Sequence, residues 1–250
     1  MSVAAIYDIH GNLPALEAVI RDIRGSDIDQ IVVGGDILPG PMPLETLECL
    51  LDLEIPVEFI LGNCEIDILT HWSGHKMTRV PESVQRIMLW SAEQLHAKYA
   101  ELLAAWPKSI RMEISGIGSV MFCHATPRDD NEIFTSATAE DRILPIFEGL
   151  GVDLVVCGHT HMQFDRMVGK TRVINAGSVG MPFGEPGAYW LLLGSDIELR
   201  RTDYDLESAA DLIRNTKYPN ADDFAAKHVL NPPLAESMIE LFSKAELKGF

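Results

Sequence analysis

Seven side chains with metal-binding chemistry occur in five short segments between residues 8 and 161. The segments are Asp8-Ile9-His10, Gly35-Asp36, Gly62-Asn63, His124 and Gly158-His159-Thr160-His161. Taken singly, each is more often a helix cap, a turn or a satisfied core histidine. Together they offer four imidazoles, two carboxylates and one amide, a donor set without thiolate that suits Mn²⁺, Fe²⁺, Zn²⁺ or Ni²⁺. We therefore predict a centre that binds divalent metal, and the sequence does not choose among these metals.

Each segment follows an apolar stretch that has the length and composition of a β-strand. Strands predicted at residues 2–7, 30–33 and 57–61 alternate with helices at about 14–24 and 44–53, which indicates a parallel βαβαβ unit. Ligands bind beyond the carboxyl ends of the strands in such sheets. Asp8, Asp36 and Asn63 are therefore predicted to meet at one edge of the sheet.

The rest of the chain predicts a second sheet and additional helices. Residues 66–108 are irregular and then form one helix, from Pro81 to before Pro107, as a helical insertion. Strands are predicted at 110–114, 119–123, 154–157, 172–174, 189–193 and 197–201, with a helix at about 139–150. The fold class is α/β (α+β by some schemes), with two mixed β-sheets packed face to face as a sandwich and flanked by helices. Residues 1–204 form one domain, and 205–250 form a helical C-terminal extension packed on it, with helices at 206–214, 221–230 and 234–247.

Composition excludes several classes of protein. The net charge of −17 over 250 residues argues against general nucleic-acid binding, which requires clusters of Lys and Arg. No apolar run approaches the roughly 20 residues of a membrane-spanning helix. The opening residues lack the basic region of a signal peptide. The four cysteines include no C-x-x-C pair and are interpreted as reduced thiols of a cytoplasmic protein.

The motif order D-x-H, G-D, G-N, H and G-H-x-H resembles the calcineurin-like metallophosphoesterase superfamily over about residues 3–201. The segments D-I-H-G-N, G-N-C-E and N-A-G-S-V-G are similar to its small bacterial and archaeal phosphodiesterase branch. The resemblance implies the four-layer fold of that superfamily and two divalent metal ions. It implies the following ligands: Asp8, His10 and His161 for the first ion, Asn63, His124 and His159 for the second, and Asp36 as the bridge.

The same resemblance implies a metal-dependent phosphoesterase, in which Asp36, Asn63 and His124 belong to the catalytic set. A solvent molecule between two ions would be acidified from a pKa of about 15.7 toward neutrality and would attack phosphorus as hydroxide. Cys64 stands where many members have a histidine credited with protonating the leaving oxygen. We therefore expect a preference for phosphodiesters or activated monoesters. The alternative is a non-catalytic metal-bound scaffold that binds a nucleotide or a protein partner.

Local geometry is also predicted for two of the motifs. Gly34 and Gly35 are expected to let the backbone turn sharply before Asp36. His159 and His161 are expected to point the same way from a locally extended stretch.

Other polar residues have two readings each. Asn12, Arg128 and Ser178 are candidate substrate contacts, but Asn12 equally suits a helix N-cap and Arg128 a surface position. The other reading of Ser178 is that it makes local hydrogen bonds in the wall formed by residues 175–178. Glu65 is either a partner of a ligand histidine or exposed. His71, His75, His96 and His228 are interpreted as surface histidines. A small phosphate ester is the expected partner, and a homo-oligomer is compatible with the sequence.

Overall fold

The computed structural model describes residues 1–78 and 80–247, except the side chains of residues 83 and 97. Its strands, in chain order, are β1 (Val3–Ile6), β2 (Gln30–Val33), β3 (Val57–Phe59), β4 (Ser109–Ile114), β5 (Gly118–Cys123), β6 (Leu154–Cys157), β7 (Phe164–Val168), β8 (Thr171–Asn175), β9 (Ala188–Leu193) and β10 (Ile197–Thr202). Its helices are α1 (Leu13–Arg24), α2 (Pro43–Leu51), α3 (Asn63–Trp72), α4 (Glu82–Gln94), α5 (Ala97–Ala104), α6 (Glu140–Phe147), α7 (Leu206–Arg214), α8 (Ala221–Phe224) and α9 (Ala235–Ser243), with a π-helical segment at Ala225–Leu230 between the last two.

The strands form two five-stranded sheets of mixed direction. The first has the order β10-β9-β1-β2-β3. In it β1, β2 and β3 are parallel to one another, and β9 is antiparallel to both of its neighbours, β1 and β10. The second has the order β4-β5-β6-β8-β7, with β5, β6 and β8 parallel between two antiparallel edge strands. The predicted α/β sandwich of two mixed sheets is confirmed.

Alternation along β1 shows how the layers are held together. Val3, Ala5 and Tyr7 join the cluster that lies between the two sheets. Ala4 and Ile6 point the other way, into the cluster formed with the flanking helices. Successive strand residues face opposite sides of a sheet, so a strand covered on both faces reads as one continuous apolar run. Burial of both faces therefore explains why the short stretches before the motifs are apolar throughout.

The insertion differs from the prediction for residues 66–108. Helix α3 begins at Asn63, directly within the third motif, where an irregular segment was predicted. The single long helix is also wrong, because Leu95 and His96 adopt extended backbone conformations between α4 and α5. The interruption buries Leu95 in the helix-facing core. Burial of that side chain therefore outweighs continuation of the helical hydrogen bonds.

Several other elements were missed or misjudged in length. Strand β7 was not predicted because its middle residues, Asp165 and Arg166, are charged and the strand lies at a sheet edge that water reaches. Helix α6 ends at Phe147, three residues early, since Glu148 is extended and Gly149 has φ of +76°. The predicted helix at 221–230 becomes π-helical after Phe224, and α9 ends at Ser243.

The C-terminal helices pack beside α4 and the strand ends. Tyr218 and Phe224 belong to an apolar cluster with Met42, and its margin includes Trp90 of α4 and Met181. No helix in residues 1–78 or 80–247 combines the length and apolar character needed to cross a bilayer. All four cysteines are free thiols, and Cys123 and Cys157 are buried at the ends of β5 and β6, as the sequence indicated.

Candidate metal centre

The predicted ligands converge where parallel strands of both sheets end. Asp8, Asp36 and Asn63 follow β1, β2 and β3 of the first sheet, while His124 follows β5 and the two histidines of the G-H-T-H motif follow β6 of the second sheet. The sandwich thus joins the carboxyl ends of two separate sheets at one place. That is where ligands are expected in open α/β sheets.

Asp8 lies at the centre of this cluster. Its Oδ1 atom is 3.4 Å from Nε2 of His161, 3.9 Å from Nε2 of His124 and 4.0 Å from Nε2 of His10. This Oδ1 atom is buried and accepts no hydrogen bond from any described residue. Oδ2, by contrast, accepts a hydrogen bond from the His159 backbone N–H at 2.8 Å. One oxygen therefore anchors the G-H-T-H loop and the other remains unsatisfied.

Asp36 lies between two of the histidines, as a bridging ligand must. Its Oδ2 atom is 3.6 Å from Nε2 of His124 and 3.8 Å from Nε2 of His10. Cys64 fixes the carboxylate from behind, donating from its backbone N–H to Oδ1 at 2.9 Å and from its thiol to Oδ2 at 3.0 Å. The residue that replaces the usual histidine therefore orients the predicted bridge.

Asn63 and His159 complete the set on the His124 side. Oδ1 of Asn63 is 3.0 Å from Nε2 of His124. The His159 ring lies edge-on to the His124 ring, with centroids 5.2 Å apart. Both residues are half-buried, whereas Asp8, His10, Asp36, His124 and His161 are buried. The open side of the centre is therefore next to Asn63 and His159.

The histidine tautomers leave Nε2 free to bind metal. Nδ1 of His10 contacts the Pro39 carbonyl at 3.3 Å, Nδ1 of His124 the Gly34 carbonyl at 2.9 Å, and Nδ1 of His161 the Met181 carbonyl at 2.7 Å. A carbonyl oxygen only accepts, so each Nδ1 carries a proton and Nε2 is the nitrogen that faces the carboxylates and can bind metal. Backbone carbonyls commonly orient metal-binding histidines in this way.

These acceptors fit a cation. Nε2 of His10 and Nε2 of His161 are only 3.2 Å apart, and the unsatisfied Asp8 Oδ1 faces both. All three atoms lie within 4.8 Å of one another, so a cation between them would be bound by one carboxylate oxygen and two imidazole nitrogens. Ligand atoms about 2.0–2.2 Å from one ion lie about 3–4 Å from each other. The observed separations of 3.2–4.0 Å match that spacing.

Burial and neighbouring charges together set the protonation of the ligands. Burial acts to lower the pKa of His124 and of His161, but the nearby carboxylates outweigh it and raise both pKa values. Burial, reinforced by the other histidines, lowers the pKa of His10 and of His159 to about 3, so both rings are neutral near pH 7. Burial works to raise the pKa of the Asp8 carboxyl, but His161, His124 and His10 outweigh it and hold that pKa well below its usual value. Burial and the nearby Asp8 charge raise the pKa of Asp36, against the pull of His124.

Backbone strain is concentrated in the same residues. Asp8, His10, Asp36, His159 and His161 are five of the six non-glycine residues with positive φ in the described chain. Such conformations cost about 1–3 kcal/mol each and persist where the surrounding structure requires them. The prediction of a locally extended G-H-T-H segment is wrong, because φ is +67° at His159 and +59° at His161.

The two glycines before Asp36 have different roles. Gly35 has φ of +89° and makes the predicted turn. Gly34 is required for space, because a Cβ atom there would lie 1.9 Å from the Tyr7 ring. The prediction that both glycines allow a sharp turn is therefore correct for Gly35 only.

Divalent metal should stabilise the protein strongly. Adding Mn²⁺ or Ni²⁺ at about 100 times its Kd to chelator-treated protein contributes about 2.7 kcal/mol, which raises Tm by about 5–10 °C for a chain of this size. Differential scanning calorimetry measures the shift. The matched Asp8→Asn variant should lose most of it, whereas an equal shift in that variant would place the bound metal elsewhere.

Two of the candidate substrate contacts, Asn12 and Ser178, instead make hydrogen bonds within the protein. Asn12 is fully buried; its Oδ1 accepts from the Ala15 N–H at the start of α1, and its Nδ2 donates to the Gly180 carbonyl at 3.0 Å. Ser178 is also fully buried; its hydroxyl accepts a local hydrogen bond from the Met181 N–H at 2.8 Å and donates to the distant Asp8 carbonyl at 2.7 Å. The N-cap reading of Asn12 and the local hydrogen-bond reading of Ser178 describe these positions.

The guanidinium of Arg128 binds Glu132 and none of the seven predicted ligands. Its side chain is 55% exposed, and its guanidinium pairs with Glu132, at 3.0 Å from Nε and 2.5 Å from Nη2. The surface reading describes this arginine. In the predicted wall, Asn175 does make local contacts, donating to the Gly158 carbonyl at 2.6 Å and to the Thr160 hydroxyl at 3.1 Å.

Glu65 has a role that neither prediction anticipated. It is fully buried, and its carboxylate accepts backbone N–H bonds from Asp36 at 2.8 Å, Gly62 at 2.9 Å and Leu38 at 3.0 Å. Burial and the Asp36 charge raise its pKa to about 7. A glutamate at the third position of a helix commonly accepts a hydrogen bond from the backbone N–H of the N-cap residue. This pattern could have predicted the bond from Gly62, but not those from Asp36 and Leu38.

His228 is not a surface histidine. It is half-buried in the π-helical segment, and its Nδ1 atom is shielded from solvent with no hydrogen-bond partner in the described chain. His75 and His96 are exposed as predicted, and His71 is half-buried. No local sequence pattern marked His228 as different from these.

Three known proteins are similar to this chain over most of its length. An uncharacterized protein of Methanocaldococcus jannaschii is 29% identical over 237 residues, which cover 87% of this chain and 93% of that protein. A metallophosphoesterase from Sphaerobacter thermophilus has a similar structure, with a TM-score of 0.69 and 25% identity, covering 92% of this chain and 99% of its own. A hypothetical protein from Pyrococcus horikoshii OT3 shares the fold, with a TM-score of 0.78, 20% identity and coverage of 93% and 99%.

The sequence pattern of one family extends over most of the chain. Residues 1–196 match the model of the calcineurin-like phosphoesterase superfamily domain. This span contains all seven converging side chains and both sheets except the last strand, β10, which begins at the following residue, Ile197. The chain therefore belongs to the calcineurin-like phosphoesterase superfamily.

Proposed function

We propose that this protein hydrolyses phosphate esters, phosphodiesters in particular, with two divalent metal ions held at the centre. The observation that carries the proposal is the convergence of three ligand atoms, Oδ1 of Asp8 and Nε2 of His10 and of His161, which all lie within 4.8 Å of one another. Divalent ions at such a centre polarise the phosphoryl group as Lewis acids and lower the pKa of bound water. Membership in the superfamily supports the reaction class.

The chain's own contribution is the fixed placement of ligands. Asp8, His10 and His161 would hold one ion, Asn63, His124 and His159 the other, and Asp36 would contact both. Cys64 and Glu65 hold Asp36 through its side chain and its backbone, respectively. Ligands that are already oriented need no rearrangement as charge develops on the phosphoryl oxygens. Mn²⁺, Fe²⁺, Zn²⁺ and Ni²⁺ all suit this donor set.

Cys64 explains the proposed preference for diesters and activated monoesters. Burial, together with the charges of Asp36 and Glu65, raises the pKa of its thiol well above the usual value. The thiol is therefore protonated and engaged with Asp36 Oδ2, so it serves neither as nucleophile nor as proton donor. Esters with good leaving groups depend least on such a donor.

Hydrolysis of bis(4-nitrophenyl) phosphate tests the proposal directly. Chelator-treated protein should be inactive, and activity should return as Mn²⁺ or Ni²⁺ is titrated to two equivalents, measured by released nitrophenolate. Turnover should be faster than with an alkyl phosphate monoester. Stoichiometric metal binding without hydrolysis of any mono- or diester would overturn the proposal and favour a non-catalytic scaffold.

A further inference from the structure

A cavity of about 320 Å³ adjoins the metal centre on the side of the C-terminal helices. Its floor includes His10 and Cys64, so it opens directly onto the cluster of ligands. One wall is α4 of the insertion, and the other consists of residues 218–228 of the tail. Insertion and tail therefore meet over the metal centre and enclose this space between them.

The cavity wall is mostly apolar. Its apolar side chains are Val84, Ile87 and Met88 of α4, Tyr218 and Phe224 of the tail, and Met181. The lining also includes Asn220 and the ion pair of Asp223 with Lys227. Aromatic and thioether groups form favourable contacts with flat rings. An apolar lining with a few polar groups is typical of small-molecule sites, and its volume lies at the lower end of their usual range, about 300–1,000 Å³.

The aromatic part of the wall is preformed. Tyr218 packs edge-on against Trp90 of α4, with ring centroids 5.3 Å apart, and edge-on against Phe224, at 5.9 Å. Tyr218 and Phe224 are buried in the cluster that attaches the tail to the rest of the protein. The shape of the cavity is therefore set by packing that exists before any ligand binds.

His228 lines the cavity and carries an unsatisfied polar atom, Nδ1. Its ring packs on Phe224, with centroids 5.3 Å apart. Its Nδ1 atom is buried and has no hydrogen-bond partner among the described residues, although buried polar atoms nearly always have one. Burial lowers its pKa to about 4, so the ring is neutral near pH 7 and acts as a hydrogen-bonding group. Single π-helical turns such as its own are frequent at functional sites.

We propose, on the basis of the proposed function, that this cavity binds the organic group of the phosphate ester and selects a flat, aryl-type group, with His228 hydrogen-bonding the same ligand. A cavity of about 150 Å³ lined by apolar side chains accommodates benzene. The space beside the metal centre therefore accommodates one ring with room for a substituent. The phosphate would lie over the ligands while the ring lies between α4 and the tail.

Binding of two non-hydrolysable probes tests the cavity without turnover. Isothermal titration of metal-loaded protein with phenylphosphonate and methylphosphonate should show tighter binding of phenylphosphonate by about tenfold or more, because only the ring is buried. Val84→Phe fills the cavity from a position that is 38% exposed, and should reduce the ratio to about threefold or less. The matched Leu212→Phe variant, at a position 51% exposed on α7, should keep the wild-type ratio.

His228 is tested with its own control. His228→Ala should weaken the binding of 4-hydroxyphenylphosphonate, whose ring carries a hydrogen-bonding group, by about five- to tenfold, the usual size of one lost hydrogen bond. His228→Asn should recover part of the loss, since it returns a polar atom near the place of Nδ1. His75→Ala, at an exposed histidine, should bind as wild type does. Equal binding by His228→Ala and wild type would overturn the role of His228.

The two proposals fail in different ways. Equal affinity for the two phosphonates, in a protein that still hydrolyses bis(4-nitrophenyl) phosphate, would overturn the cavity assignment alone. A clear preference for phenylphosphonate that Val84→Phe removes, in a protein without hydrolysis, would overturn the proposed function and leave the cavity as a ring-binding site.

Discussion

Replacing Asp36 with asparagine should reduce metal-dependent hydrolysis by at least about 1,000-fold, since loss of one preorganised electrostatic group alone costs about 100- to 1,000-fold. The carboxylate lies 3.6 Å from His124 Nε2 and 3.8 Å from His10 Nε2. An amide removes the negative charge and one of the two oxygens needed to contact two ions. Its NH₂ group would also face a donor, because both carboxylate oxygens accept hydrogen bonds from Cys64.

The Asp36→Asn experiment has a kinetic and a metal readout. kcat/KM with bis(4-nitrophenyl) phosphate gives the loss of activity, and metal analysis of the dialysed protein should show at least one equivalent missing. Asp27→Asn makes the same chemical change at an exposed position and should retain full activity. Activity within tenfold of wild type in Asp36→Asn would show that this carboxylate is not the bridge.

Replacing Glu65 with alanine should lower the free energy of unfolding by about 3–6 kcal/mol, although Glu65 is not itself a predicted ligand. The change leaves three backbone N–H groups, those of Asp36, Leu38 and Gly62, without their acceptor in the interior. Each unsatisfied buried group costs about 1–3 kcal/mol. A loss of this size is a large part of the total stability of a typical domain, about 5–15 kcal/mol.

Urea denaturation in the presence of a chelator measures the effect without the contribution of bound metal. Glu65→Gln should be intermediate, because it keeps one oxygen but places an NH₂ group against backbone donors. Glu93→Ala, an exposed position on α4, should change stability by less than about 0.5 kcal/mol. A Glu65→Ala protein within about 1 kcal/mol of wild type would mean that the three N–H groups find other partners.

Much of the fold was readable from local patterns. Val3, Ala5 and Tyr7 face one layer and Ala4 and Ile6 another, so β1 had to be apolar throughout. Strands covered on both faces are conspicuous in a sequence, and their ends were correctly located beside the motifs. Strand β7 was missed because Asp165 and Arg166 give an edge strand the composition of a loop. The break at Leu95 was missed because periodicity continues across it while the backbone does not.

By itself, the sequence determined which ligand types are available and where along the chain they follow strands, because both properties depend on residues close in sequence. Tertiary structure alone decided which lone pairs face one another, what Glu65 binds and where His228 lies. His228 reaches the cavity beside His10 across 218 residues of chain, and Glu65 contacts backbone 27 to 29 residues away. Contacts of that range arise only when the layers pack, since no local pattern records which distant segment will cover a given side chain.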